Sequence, residues 1–237
     1  MANGEGWFNK GKFSFCLNDG KIRYKRIGGD DRLEPKWLEW AKQLQSIAQA
    51  GLTYSNDVYD LERFEIIRNI SVEILSLQSN MDNKVIKELF ANETGYATPK
   101  VDIRAVVFRG NNILMVRENT DGDWSLPGGW GDIGLTPSEV AVKEVKEESG
   151  FDVKVIKLIG VLDKKCHPHP PSLYHVYKMF IQCEIIGGQP KEGIETNAVE
   201  FFAENELPSL SVARNTESQI QLAFKHLHNP QEPVYFD

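Results

Sequence analysis

Residues 128–151 constrain this chain more than any other stretch. They read GGWGDIGLTPSEVAVKEVKEESGF, a glycine-rich loop running into a helix crowded with carboxylates. Thr136, Pro137 and Glu139 give three concurring start signals: an N-cap hydroxyl, a proline at the first helical position and a capping-box glutamate. Gly150 closes the helix. Within it Glu144, Glu147 and Glu148 fall at i, i+3 and i+4, which puts all three carboxylates on one face. Val140 and Val145 are then free to point into a core.

Like charges at this spacing repel, and an acidic helix face is most often plain solvated surface. The flanking Leu126-Pro-Gly-Gly-Trp130 and Ser149-Gly-Phe151 segments favour a functional reading instead. A hard divalent cation, Mg²⁺ or Mn²⁺, takes carboxylate oxygens and turns the repulsion into affinity, usually while bridging to substrate phosphates. The glycines let backbone approach such an ion or an anion closely.

On these residues the chain resembles the Nudix hydrolases, whose signature is Gly-x5-Glu-x7-Arg-Glu-U-x-Glu-Glu-x-Gly-U with U a bulky aliphatic. Gly129 takes the first glycine, Lys143 the arginine, Glu144 the next glutamate and Val145 the U position. Glu147 and Glu148 are the paired glutamates, and Gly150 and Phe151 close the pattern. Two positions depart. Leu135 stands where the first glutamate belongs, with Asp132 the nearest substitute. Lys143 keeps a positive charge but lacks the planar fork of arginine, so it orients Glu144 less rigidly.

The resemblance implies an α/β class, the Nudix α/β/α sandwich with a mixed sheet, here preceded by a small helical module. It implies a metal set of Gly128 (through its carbonyl), Glu144, Glu147 and Glu148, with Mg²⁺ or Mn²⁺ as cofactor. Glu144, oriented by Lys143, is the expected general base. Many relatives supply a further acidic residue later in the chain; Glu195 is the first candidate here and Glu200 the second, against the plain reading of a solvent-facing glutamate before a strand. Arg104, Gly129, His167 and Tyr174 are the expected substrate-binding residues.

The chain has 237 residues, which suits a domain of about 140 residues plus a smaller module. The expected division is an extension over 1–34, a helical module over 35–95 and the Nudix domain over 96–237. A net charge of -7 argues against a broad nucleic-acid footprint, because phosphate binding needs clustered Lys and Arg. It leaves room for a nucleotide held through a local metal site, and for short RNA as a substrate. Cys16, Cys166 and Cys183 show no paired spacing and read as free thiols of a reducing compartment. No apolar run approaches the roughly 18 residues of a membrane span, so a cytoplasmic location is expected.

In the extension, Phe13, Phe15 and Leu17 alternate, Asn18-Asp-Gly20 turns, and Ile22 and Tyr24 alternate again, a hairpin pattern. Its Lys21, Arg23, Lys25 and Arg26 read as solubilising charges on an edge strand, with phosphate contact as the alternative. From Pro35 the period becomes helical. Trp37, Trp40, Ala41, Leu44, Ile47 and Ala48 form a stripe that stops at Gly51, and Leu61, Phe64, Ile67, Ile70, Ile74 and Leu77 form a second. A short third helix follows around Val85–Phe90. Two such helices cannot bury both tryptophans alone, so the module must pack on another surface. The segment Leu38–Tyr54 followed by Tyr59–Phe64, together with TPKVDIR at 98–104 and HPHPPSLYHVYK at 167–178, resembles a bacterial Nudix subgroup that cleaves X-linked nucleoside diphosphates. Members of that subgroup are described as CDP-choline or ADP-ribose pyrophosphatases, and the resemblance implies a homodimer.

Strands are expected at Val101–Phe108, Asn112–Arg117, Val153–Leu162 and Val176–Ile186, with a final helix at Glu217–His226. His167 and His169 beside Cys166 invite a zinc reading, but the intervening prolines and the lack of a second Cys/His cluster weigh against it. The expected reaction is water attack on a diphosphate that links a nucleoside to another moiety, giving a nucleoside monophosphate and a phosphorylated partner. The competing expectation, suggested by Leu135, is a nucleotide-sugar sensor that binds without cleaving.

Overall fold

The structure, a computed structural model, describes residues 8–10, 13–18, 21–26, 34–79 and 82–237, the first three segments and Leu89 through the backbone alone. It divides into two compact units, Met1–Pro99 with Pro170–His175, and Lys100–His169 with Val176–Asp237.

In the first unit β1 (Phe8–Lys10), β2 (Phe13–Asn18) and β3 (Lys21–Arg26) form an antiparallel sheet, Phe15 facing Tyr24 across β2 and β3. The turn residues Asp19 and Gly20, and the side chains of Cys16 and of the basic residues of β3, lie outside the described residues. Helix α1 (Lys36–Tyr54) then runs against α2 (Val58–Ser79), whose start is capped by Asp57 Oδ1 accepting from the amides of Tyr59 and Asp60 at 2.9 and 3.0 Å. Contrary to expectation α1 does not stop at Gly51. A Cβ there would lie 2.3 Å from the Phe64 ring, so the glycine is an intimate crossing point between the helices rather than a terminator. A short α3 (Asn83–Ile86) passes into a single π turn over Lys87–Ala91.

The core of this unit is Leu38, Ala41, Val72, Leu75, Ile86, Phe90 and Ala91, with Leu173 packed beside them. Trp40 and Ile47 of the expected stripe on α1 are each 53 % exposed, and Ile70 and Leu77 of that on α2 are exposed as well. The buried residues of α2 are Ser71, Val72, Leu75 and Ser79, and Ile74 of the expected stripe packs against the core beside them. Ser71 can enter the core because its hydroxyl donates to the Ala41 carbonyl at 2.8 Å.

The second unit is a mixed sheet between two helices. Its strands are β4 (Lys100–Arg109), β5 (Asn112–Glu118), β6 (Trp124–Ser125), β7 (Gly128–Trp130), β8 (Phe151–Asp163), β9 (Val176–Gly188), β10 (Thr196–Ala203) and β11 (Tyr235–Phe236). The order is β10-β5-β4-β9-β8-β11, with β4 parallel to β9 and β11 parallel to β8. Alternation along β4 sends Ile103, Ala105 and Val107 to one face and Val106 to the other. The first set packs on Val140, Ala141 and Val145 of α4 (Pro137–Ser149); the second packs on Ile220, Ala223 and Phe224 of α5 (Glu217–His228). Full burial of each such valine or isoleucine contributes roughly 1.5–3 kcal/mol, so α4 is fixed by its apolar stripe and its acidic face is left for other work.

The sheet splits at one place. β4 pairs with β5 only at Phe108–Ile113 and Arg109–Asn112, while its first half pairs with β7 through Asp102–Trp130, Ile103–Gly129 and Arg104–Gly128. The segment expected as a glycine loop is therefore partly a strand.

Candidate active site

Helix α4 begins as its sequence dictates: the Thr136 hydroxyl accepts from the Glu139 amide at 3.2 Å, and the Glu139 carboxylate accepts from the Thr136 amide at 2.8 Å. It ends at Gly150, in the left-handed region at φ 78°. Between these caps Glu148 is 7 % exposed, and its Oε2 accepts from the Gly128 amide at 2.9 Å. Gly128 has φ 149°, and a Cβ on it would fall 2.0 Å from the Ile103 carbonyl oxygen, so only glycine brings this amide to Glu148. At Gly129 a Cβ would sit 3.1 Å from Glu144 Oε1. The two glycines thus face two of the three signature carboxylates.

Burial raises the Glu148 carboxyl to about 8, with Glu118 and Glu144 adding to the shift and the Gly128 amide and Arg104 opposing it. Burial also raises Glu144, against the pull of Lys143. Glu147 is different: its side chain is 58 % exposed and pairs with Lys143 at 3.4 Å. Lys143 Nζ also donates to Asp132 Oδ2 at 3.1 Å and lies 3.6 Å from Glu144 Oε1. The contact with Asp132, followed by Glu144, raises the Lys143 ammonium above its ordinary value. Asp132, on the same loop as Leu135, thus contacts the lysine that adjoins Glu144, while Leu135 is 40 % exposed.

The donor set suits a hard cation, because Glu144, Glu147 and Glu148 offer carboxylate oxygens from one helix and two of them are held partly dehydrated. Among the described residues no three carboxylate, imidazole or thiol groups already stand together at coordination distance. Glu147 is the one turned away, towards Lys143.

Arg104 lies in a buried charged network that the sequence reading missed apart from Arg104 itself. Its Nη2 donates to Asp102 Oδ1 at 2.8 Å, its Nε to the same carboxylate at 3.1 Å, and its Nη1 to the Leu126 carbonyl at 3.1 Å. Lys178, opposite Asp102 in the parallel β4–β9 register, donates to Asp102 Oδ2. Burial and then Arg214 push the Lys178 ammonium down, while contact with Asp102 favours its charge. Nearby Glu118, 2 % exposed, accepts from Ser125 Oγ at 2.6 Å and from Arg214 Nε at 2.8 Å. The available signal was charge at inward positions of apolar strands; the partners of those charges lie 76 and 96 residues away in the chain and carry no local pattern.

The remaining expected residues make other contacts. Glu195 is exposed in the loop leading to β10, where its carbonyl accepts from the Asn119 amide at 2.9 Å. That loop is stitched to α4, since Thr196 Oγ1 donates to the Glu148 carbonyl at 2.8 Å. Glu200 is exposed on β10 opposite Met115. His167 is held by Asp237 Oδ2 at 3.0 Å, which ties it to the C-terminal segment rather than to α4. His169 is buried between the Val212 carbonyl at 2.7 Å and Gln219 Nε2 at 2.9 Å. Burial lowers it to about 4, so it is a neutral imidazole with a packing role. Tyr174 belongs to the segment 170–175 that clusters with the helical unit. Cys166 and Cys183 are free thiols.

A split mixed sheet between two helices, with a glycine rung facing the carboxylates of a capped helix, defines a phosphoanhydride hydrolase of the Nudix type. Residues 98–222 match the NUDIX domain, more than half of the chain, and residues 35–90 match the family described as a UDP-X-like N-terminal oligomerisation domain. The chain belongs to the Nudix family and is a pyrophosphohydrolase carrying this N-terminal module. It is 50 % identical over 206 residues to a Bacillus subtilis (strain 168) protein named "Putative ADP-ribose pyrophosphatase YjhB", covering 87 % of this chain and 99 % of that one. It is also similar to the crystal structure of a UDP-X diphosphatase, at 32 % identity and TM-score 0.56 over 85 % of this chain and 98 % of that one. An ADP-ribose pyrophosphatase from Streptococcus suis 89-1591 gives 41 % identity and TM-score 0.54 over 59 % of this chain and 100 % of that one. Among the described residues no helix is long and apolar enough to cross a membrane.

Proposed function

We propose that the chain hydrolyses a nucleoside diphosphate linked to another moiety, of ADP-ribose or CDP-choline type, to a nucleoside monophosphate and a phosphorylated partner. The observation that carries this reading is the pairing of Glu148 with the Gly128 amide, with Glu144 lying close against Gly129, in a chain whose relatives are named for diphosphate cleavage. Glu144, Glu147 and Glu148, with the Gly128 carbonyl, would hold Mg²⁺ or Mn²⁺, Glu147 exchanging its Lys143 partner to do so. A bound divalent ion there supplies charge neutralisation of the diphosphate and a more acidic attacking water.

The chain's own residues do the rest. Glu144, half-buried and steadied by Lys143, accepts the proton of the attacking water. Arg104, fixed by Asp102 and Leu126, places a permanent positive charge beside the carboxylates to favour an anionic substrate. Glu195 stands in reserve as an acidic residue on the loop tied to Glu148. His167, held by Asp237, and Tyr174 remain candidates for contact with the substrate beyond the diphosphate. We also infer a homodimer formed through the helical module, supported by exposed Trp40, Ile47, Tyr54 and Tyr59, and a cytoplasmic location.

The test is incubation with CDP-choline, ADP-ribose, dinucleoside polyphosphates, NADH and short RNA, each with Mg²⁺ or Mn²⁺. Metal-dependent release of a nucleoside monophosphate from ADP-ribose or CDP-choline is expected. Binding without product from any of them overturns the hydrolase reading in favour of a sensor.

A further inference from the structure

Trp130 ends the short strand that supplies both glycines of the site, yet it is 53 % exposed. Among the described residues it belongs to neither hydrophobic core of its unit. Large exposed aromatics beside a site ask for an explanation in a way that scattered exposed aliphatics do not.

Its setting is polar below and apolar alongside. Trp130 faces Asp102 across the antiparallel β4–β7 pair, and Gly128 faces Arg104. Residues opposite one another in such a pair share a face of the sheet, as do residues two apart on one strand. Trp130 therefore stands on the face of Asp102 and Arg104, above a buried ion pair rather than above an apolar core. The loop that follows exposes Ile133 completely and Leu135 by 40 %, the latter at a position where the family pattern has a glutamate. Two residues of strand span roughly 7 Å, which separates Trp130 from Gly128 and its Glu148 partner by about the reach of a nucleotide from phosphate to base.

We propose that Trp130 is the platform on which the nucleobase of the substrate's nucleoside monophosphate half stacks. The proposal rests on the hydrolase reading above. A planar base presents a π-face to the indole, whereas the dehydrated diphosphate end requires the carboxylate site and Arg104. Stacking of this kind is tolerant of base identity, so Trp130 contributes affinity for any nucleoside half and leaves selection among bases to other groups. Because the side chain is exposed and outside the cores, its replacement leaves the fold intact.

The experiment compares the full chain with its Trp130→Ala and Trp130→Phe variants. Calorimetric titrations with AMP and with ribose 5-phosphate, both in Mg²⁺, are paired with steady-state hydrolysis of ADP-ribose. Trp130→Ala is expected to weaken AMP about tenfold, which is about 1.4 kcal/mol, and to raise KM similarly with little effect on kcat. Ribose 5-phosphate binding stays as in the parent chain, and Trp130→Phe recovers most of the AMP affinity. Unchanged AMP affinity in Trp130→Ala overturns the proposal, as does equal weakening of AMP and ribose 5-phosphate, or no measurable AMP binding to the parent chain. Failure of the parent chain to hydrolyse any diphosphate, with the AMP effect present, would instead overturn the hydrolase reading and leave the platform standing.

Discussion

Replacing Glu148 with glutamine is expected to abolish turnover and, in the metal-free protein, to make the fold more stable at alkaline pH. The carboxyl is held at about 8 in the folded chain, mainly by burial, against an ordinary value of 4.5. A raised carboxyl keeps its proton in the folded chain and loses it in the unfolded one, so its contribution is full below 4.5 and is lost as pH rises through 8. Between pH 5 and pH 8.5 the linkage relation makes this at most about 4 kcal/mol, local opening to water relieving part of it. Glutamine cannot ionise, keeps an oxygen for the Gly128 amide and escapes the penalty. In a domain of this size each kcal/mol moves Tm by roughly 2–4 °C, so the variant's advantage at pH 8.5 should exceed that at pH 5 by on the order of 10 °C. Thermal melts in EDTA at the two pH values measure this difference. Added Mg²⁺ should restore the parent chain at pH 8.5 and leave the variant unmoved. A variant that melts below the parent by the same margin at both pH values would refute the reasoning, because burial of an ionised Glu148 would then carry no cost.

Two further outcomes are expected. Lys178→Met removes one of the two cations on Asp102 and should cost towards the lower end of ~3–5 kcal/mol in urea unfolding, since Arg104 still holds the carboxylate; no change would show that the buried pair contributes nothing to the fold. Trp40→Glu combined with Ile47→Glu should convert a homodimer into a monomer by light scattering at micromolar concentration, and a parent chain that is itself monomeric would sink the assembly reading.

How much of this was legible in the chain depends on the range of the forces involved. Helix α4 was readable to the residue because its caps, its core valines and its carboxylates are all set by spacings of three and four. Gly51 misled because a glycine near a helix end is usually a stop, whereas here its missing side chain makes room for Phe64 on the next helix. The stripe on α2 misled because Ser71 and Ser79 can be buried once their hydroxyls meet the carbonyls of Ala41 and Leu75. Asp102, Lys178, Glu118 and Arg214 were beyond reach for a different reason. Each looks like a surface charge until the fold brings its partner to it, through sheet register for Asp102 and Lys178 and through the turn before α5 for Glu118 and Arg214. Leu135 looked like a lost carboxylate with Asp132 as the nearest substitute on the same loop, but the contact between Asp132 and Lys143 carries no local pattern.

The divided pairing of β4 also bears on motion. Gly128, Gly129 and Trp130 form a rung of the sheet, and the neighbouring Ala105 and Gly131 amides are tied to the Pro127 and Val101 carbonyls at 2.8 Å. A segment with this composition would fluctuate on the nanosecond scale if it were free, whereas strand pairing couples its opening to that of the sheet. The amides of Ala105 and Gly131 should then exchange with deuterium as slowly as those in the centre of β9, while those of the exposed Ile133 and Gly134 exchange fast. That outcome would mean a stiff backbone beside the carboxylates, with adaptability confined to the few residues that follow it.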